Sequence, residues 1–161
     1  MKPAAGWSPG VIDRRALPTP ADTEALGAEL AARLRPGDLV VLDGPLGAGK
    51  TVLVRGLARG LGVLGPVTSP TFVIAREHRA PSGATGLVHV DAYRLMGTDV
   101  AAELDALDLD TDLASAVVVV EWGRGVVEAL AQRHLLVRLR RALDTEVRTA
   151  TWEWRSNTRH P

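Results

Sequence analysis

The stretch Gly44-Pro45-Leu46-Gly47-Ala48-Gly49-Lys50-Thr51 combines residue types that together hold phosphate: a glycine, four free positions, then Gly-Lys-Thr. Gly44, Gly47 and Gly49 let the backbone wrap closely around phosphate oxygens, with successive N–H groups pointing into one concavity. Lys50 brings a compact positive charge for β- and γ-phosphates, and the Thr51 hydroxyl is placed to ligate Mg2+. The only lysines in the chain are Lys2 and Lys50, so Lys50 is the sole ammonium beyond the N-terminal stretch. A planar guanidinium is no substitute for a point charge in a tight phosphate nest. The pattern predicts nucleotide binding.

Hydrolysis needs an acid as well, for Mg2+ or for the attacking water. Two carboxylates fall at the ends of predicted core strands, Asp91 in His89-Val90-Asp91-Ala92-Tyr93-Arg94 and Glu121 after the run Ala116-Val117-Val118-Val119-Val120. Open α/β sheets collect their ligands at the carboxyl ends of strands. Glu121 is placed for the magnesium side of the site, and Asp91 for orienting or deprotonating water. His89 alternates with Val90 and shares a face with Asp91, so it either lines the site or is a satisfied, half-buried histidine. Thr68, Ser69 and Thr71 suit either a segment that senses the γ-phosphate or a plain turn. Trp122 packs near the nucleotide or covers the sheet edge, and Arg55 and Arg94 reach either phosphate or water.

The elements that must position these residues follow from pattern. Residues 1–20, with four prolines, read as a flexible lead-in; residues 21–155 read as a single domain and 156–161 as a frayed tail. A helix from Asp22 buries Leu26, Leu30 and Leu34, with Thr19 or Asp22 as its cap, and ends at Pro36-Gly37. The strand Asp38 to Asp43 feeds the phosphate loop, whose helix turns Leu53, Leu57 and Leu61 inward and Arg55 and Arg59 outward. Phe72 to His78 and Leu87 to Tyr93 read as an antiparallel pair. A short helix is predicted from Thr98 to Leu107, followed by a solvated acidic loop, Asp105 to Asp112, that lacks the glycine and terminal glutamate of a calcium loop. The continuous β-branched run ending in Glu121 is a strand covered on both faces. Arg124 to Arg133 reads as a helix, and His134 to Arg140 with Glu146 to Trp154 as a second hairpin. The fold class is α/β: a three-layer, P-loop NTPase-like fold whose mixed sheet has a parallel core and antiparallel hairpins.

Composition narrows the function classes. The 161 residues carry no net formal charge, so no broad field steers the chain toward DNA, RNA or a membrane. There is no cysteine, which excludes disulfides and cysteine-held zinc and fits a reducing cytoplasm. No segment approaches membrane-spanning length. A GTPase is excluded because its guanine-reading Asn-Lys-x-Asp needs a lysine after the phosphate loop.

Asp22 to Leu34, Gly44 to Thr51 with Arg55-Gly56, Ser69-Pro70-Thr71, His89 to Arg94 and Glu121-Trp122 together resemble the bacterial TsaE family over nearly the whole chain. The resemblance implies a small ATPase required for N6-threonylcarbamoyladenosine (t6A) in tRNA, working with TsaD and TsaB. Those partners transfer a threonylcarbamoyl group from an adenylate made by TsaC, and the ATP cycle resets their complex between turnovers, so tRNA is met through the complex. By the same resemblance Gly47 to Thr51 hold the phosphates of ATP, Thr51 and Glu121 the Mg2+, and Asp91 serves hydrolysis. Ser69, Pro70 and Thr71 become switch-like, and Trp122 lies close to the nucleotide. Two departures stand out: Pro45 where the family often has Asp, and Asp144-Thr145 where it has Gly-Arg, which puts a nucleotide contact there in doubt. A small-molecule P-loop kinase and a nonhydrolysing nucleotide sensor are the alternatives; the first lacks an arginine-rich lid, and the pair Asp91 and Glu121 weighs against the second.

Overall fold

The structure, a computed structural model, describes residues 10–63, 65–67, 75–81, 85–95, 99, 102–103, 106–107, 114–122, 124–125 and 127–156. The chain enters through a strand, β1 (Asp13–Leu17), and then a helix, α1 (Pro20–Ala31). Thr19 caps α1: its hydroxyl accepts from the Asp22 N–H at 3.3 Å while the Asp22 carboxylate accepts from the Thr19 N–H at 2.8 Å. Leu26 and Leu30 are buried on α1, and Leu34 is buried just beyond its end. β2 (Leu39–Asp43) follows, and then α2 (Lys50–Leu61), whose Leu53 and Leu57 are fully buried. Each of those two contributes roughly 1.5–3 kcal/mol of apolar burial, which anchors the helix below the loop that precedes it.

β3 (Ala75–His78) and β4 (Gly86–Asp91) form the expected antiparallel pair. β4 stops at Asp91, two residues short of the predicted Tyr93, because a 3-10 turn takes over at Ala92–Leu95. β5 (Ala116–Glu121) is buried at every position, and β6 (Arg133–Arg141) and β7 (Arg148–Ser156) close the chain as an antiparallel hairpin. Among the described residues the sheet runs β1-β7-β6-β2-β5-β4-β3. Its centre, β6-β2-β5-β4, is parallel and both margins are antiparallel, as the sequence predicts. Val117 and Val119 of β5 pack toward α1 and α2, Val118 and Val120 toward the opposite face with Val127, so the β-branched run is covered on both sides.

Two expectations fail. Asp13–Leu17, placed in a loose lead-in, is an edge strand paired with β7. Only Leu17 of its five residues is buried, so it carries no apolar alternation to read. Its charged residues suit an edge that must not pair further, and Arg15 ties it down by bonding Glu29 of α1 and lying 5.6 Å from the Trp152 ring centroid. The helix predicted from Arg124 to Arg133 is reduced, among the described residues, to a 3-10 turn at Glu128–Leu130. Gly125 at φ +88 breaks any helix there, and Arg133 already belongs to β6. The helix predicted at Thr98 to Leu107 and the acidic loop Asp105 to Asp112 fall largely outside the described residues. No helix among the described residues is long and apolar enough to cross a membrane.

α1 and α2 meet through glycine. A Cβ on Gly27 would stand 2.4 Å from Leu53 O, and one on Gly56 would stand 2.0 Å from Glu24 O. Both obstacles are backbone, so neither can yield without the helices parting. Gly56→Ala would gain about 1 kcal/mol of helix propensity in an open helix. Here the clash outweighs that gain, and urea unfolding should show a net loss of about 1–3 kcal/mol; an unchanged or raised midpoint would contradict the close contact.

Candidate functional site

The phosphate loop runs from the end of β2 to the start of α2 at the carboxyl edge of the parallel strands. Gly47 and Gly49 adopt φ +77 and +100, angles that L side chains rarely take. Gly44 has another reason to be glycine: a Cβ there would lie 2.6 Å from the Leu139 carbonyl on β6. Gly49 caps α2 without any side-chain hydrogen bond, which leaves the first-turn N–H groups to the loop side.

A cleft of about 390 Å3 opens over this loop. Leu46, Gly47, Ala48, Gly49, Lys50 and Thr51 line it, together with Asp91, Glu121 and Trp122. The sequence-predicted loop and strand-end residues therefore meet in one place. Gly44 and Pro45 do not line the cleft; their carbonyls accept from Lys50 Nζ at 2.5 and 3.2 Å. Ser69, Pro70 and Thr71, with Thr68, lie outside the described residues. Arg55 donates from Nε to the Val67 carbonyl at 3.4 Å, tying α2 to the start of that segment.

Two carboxylates close the far wall. Asp91 and Glu121 are direct register partners at the ends of β4 and β5. Glu121 is buried and its Oε2 lies 2.5 Å from His89 Nε2. Asp91 is half-buried and accepts from the Tyr93 N–H at 3.0 Å, which turns the chain out of β4. Trp122, at φ +63, is the one non-glycine with positive φ among the described residues. That backbone strain aims its indole back over the site, where the ring centroid stands 3.7 Å from Lys50 Nζ and 5.1 Å from the Tyr93 ring.

Lys50 sits at the focus of these groups. Burial lowers the pKa of its ammonium from 10.5; Glu121, Asp91 and Asp43 oppose that shift and Arg140 adds to it. Asp43 is itself ringed by guanidinium groups, with Arg124 at 2.9 Å, Arg140 at 3.1 Å and Arg138 at 3.9 Å, which pins the strand end that enters the loop. No cluster of three or more acidic or histidine side chains suited to a metal occurs among the described residues. Thr51 and Glu121 nevertheless fit Mg2+, because that ion keeps most of its shell as water and phosphate oxygen and needs only one or two protein ligands.

Six further lining residues were missed by sequence reading: Thr19, Pro20, Thr23, Val52, Glu146 and Arg148. Thr19, Pro20 and Thr23 arrive because α1 crosses α2 closely, bringing Thr23 Cγ2 to 3.6 Å from the position a Cβ would take on Gly49. The Pro-Thr-Pro-Ala-Asp-Thr segment gives only a helix-start signal, so nothing in it pointed here. Arg148 donates to the Gly47 carbonyl at 3.2 Å. Asp144 and Thr145 stay off the cleft, while Glu146 and Arg148, next along the same hairpin, line it.

Fold and site together define a P-loop nucleotide-binding protein of the α/β class. The family described as "Threonylcarbamoyl adenosine biosynthesis protein TsaE" matches residues 17–150. The TsaE protein of Mycobacterium tuberculosis (strain ATCC 25618 / H37Rv) is 57% identical over 142 residues, covering 86% of this chain and 84% of the relative. That of Bacillus subtilis (strain 168) is 39% identical over 128 residues, covering 79% and 77%. The crystal structure of Bacillus subtilis YdiB superposes with a TM-score of 0.69 at 33% identity, covering 88% of this chain and 84% of that one. The chain belongs to the TsaE family.

The lowered Lys50 pKa has a testable sign. Polyphosphate stabilises the ammonium and raises its pKa, so binding takes up a proton at alkaline pH. Affinity for nucleotide should fall as pH rises toward the ordinary lysine value of 10.5, beginning below it. Calorimetry in two buffers of different ionisation enthalpy should register that proton uptake; pH-independent affinity would contradict it. In the free protein the unfolded chain holds a proton that the folded site has lost, so over the same window folding stability rises with pH.

Proposed function

We propose that this chain is an ATP-binding and ATP-hydrolysing component of t6A biosynthesis in the cytoplasm, acting on the cycle of a TsaD-TsaB transferase complex rather than transferring the group itself. The pathway is the one for which its family and its relatives are named. The observation that carries the ATPase reading is the juxtaposition of Asp91 and Glu121 as register partners on the wall facing Lys50 and Thr51.

In this reading the Gly47 to Thr51 backbone and the start of α2 hold the phosphates, and Lys50 neutralises the β- and γ-phosphate oxygens. Thr51 and Glu121 hold Mg2+, which when bound withdraws charge from the terminal phosphate. Asp91, half-buried at a strand end, orients water and accepts its proton. Trp122 screens Lys50 from bulk solvent, which strengthens its attraction for phosphate. TsaD and TsaB bind as protein partners, and tRNA is reached through them; phosphate loss resets the complex between turnovers.

Phosphate release, measured for the chain alone and with TsaD and TsaB present, tests this. Release should be slow alone and rise with the partners, since a partner can complete a P-loop site in trans. Lys50→Ala should abolish nucleotide binding. Asp91→Asn should bind ATP within about threefold of wild type yet hydrolyse it 10²- to 10⁴-fold more slowly, the range for loss of a general base. Wild-type turnover in Asp91→Asn would refute its role, and no release under any condition would leave the nucleotide-sensor reading.

A further inference from the structure

His89 is fully buried and lies outside the cleft, on the β4 face that packs toward α1 and α2. Alternation puts it on the same face as Asp91, and Glu121 of the neighbouring strand points to that face too, beyond Val117 and Val119. Its Nε2 lies 2.5 Å from Glu121 Oε2, with both side chains almost wholly removed from water. A carboxylate that ligates a cation can only accept, so in that role Oε2 takes a hydrogen bond donated by Nε2.

A structural filler would not have this form. His89 Nδ1 has no hydrogen-bond partner among the described residues. A buried nitrogen left unpaired lowers stability, whereas an apolar side chain of similar size would pack there without that loss. Packing alone therefore gives no reason for an imidazole.

Glu121 has such a reason. It is the last residue of β5, and the chain leaves the strand at once through the left-handed Trp122. Its register partner is Asp91. Nothing in strand pairing holds that carboxylate in one rotamer, but a donor at Oε2 does, and Glu121 also lines the cleft.

We propose that His89 is a positioning residue for Glu121: by donating from Nε2 to Oε2 it fixes the carboxylate in the orientation that meets Mg2+ of the bound nucleotide. This rests on the reading of Glu121 as a magnesium ligand given above. The effect belongs to the metal-dependent part of nucleotide affinity and not to the phosphate loop, whose contacts His89 does not touch.

The test is the dissociation constant of a nonhydrolysable ATP analogue in EDTA and in saturating Mg2+, measured by calorimetry on the full chain. Glu121→Gln should lose the Mg2+ enhancement. His89→Leu should keep its EDTA affinity within about twofold and lose about 10- to 100-fold of the enhancement, the range for an outer partner of a metal ligand. His89→Gln places an amide nitrogen near the Nε2 position and should restore most of it. His89→Asn, whose amide falls at the Nδ1 position, should behave like His89→Leu, and the Gln and Asn pair decides the matter if the Leu variant does not fold. The double variant His89→Leu/Glu121→Gln should be no weaker than Glu121→Gln alone. The proposal is overturned if His89→Leu keeps the enhancement that Glu121→Gln loses, if EDTA affinity falls equally, or if Gln and Asn are alike. If Glu121→Gln keeps the enhancement, the magnesium reading of Glu121 itself fails.

Discussion

The burial of one ammonium group organises this molecule. Lys50 Nζ is held between two loop carbonyls and the face of Trp122, and the negative charge of Glu121, Asp91 and Asp43 opposes its desolvation in part. These side chains come from three strand ends: Asp43 from β2, Asp91 from β4, and Glu121, with Trp122 directly after it, from β5. The carboxylate charge favours the ammonium, while Asp43 is also paired by arginines and Glu121 by His89. Strand order and register bring these groups to one edge, and the positive φ of Trp122 puts its ring over the ammonium.

The same logic explains the sheet. Parallel pairing of β2 with β5 and of β5 with β4 brings their carboxyl ends to one edge, so the acids and the loop meet without long side chains reaching for each other. Continuous apolar runs in β2 and β5 let both faces be covered, which makes these strands rigid supports. The glycines of α1 and α2 then draw a second helix against the phosphate helix, adding Thr19 and Thr23 to the rim. Electrostatics at the edge and close packing beneath it are parts of one arrangement.

What could be read in advance was what is local. The loop was legible because each of its positions has a chemical requirement that a short stretch of chain can satisfy by itself. β5 was legible because five consecutive small and β-branched residues have few other uses. β1 was not, since an edge strand that buries only Leu17 looks like a charged linker. Nor was the 3-10 turn at Glu128–Leu130, which among the described residues replaces the helix expected from Arg124 to Arg133 after the left-handed Gly125. Arg148 and Thr23 join the site only through a returning hairpin and a helix crossing, which are tertiary facts. The sequence also left His89 with two readings, and its burial against Glu121 makes it neither a lining residue nor a half-buried one.

The central claim is that the cleft recognises a polyphosphate through Lys50 and the loop, not a nucleoside. The most direct measurement is a calorimetric comparison of ATP, ADP and AMP on the wild-type chain in Mg2+. The account predicts binding of ATP and ADP, with AMP weaker by about 100-fold or more, because charge-assisted hydrogen bonds to the terminal phosphates are worth about 1.5–3 kcal/mol each. Comparable affinity for AMP would contradict it.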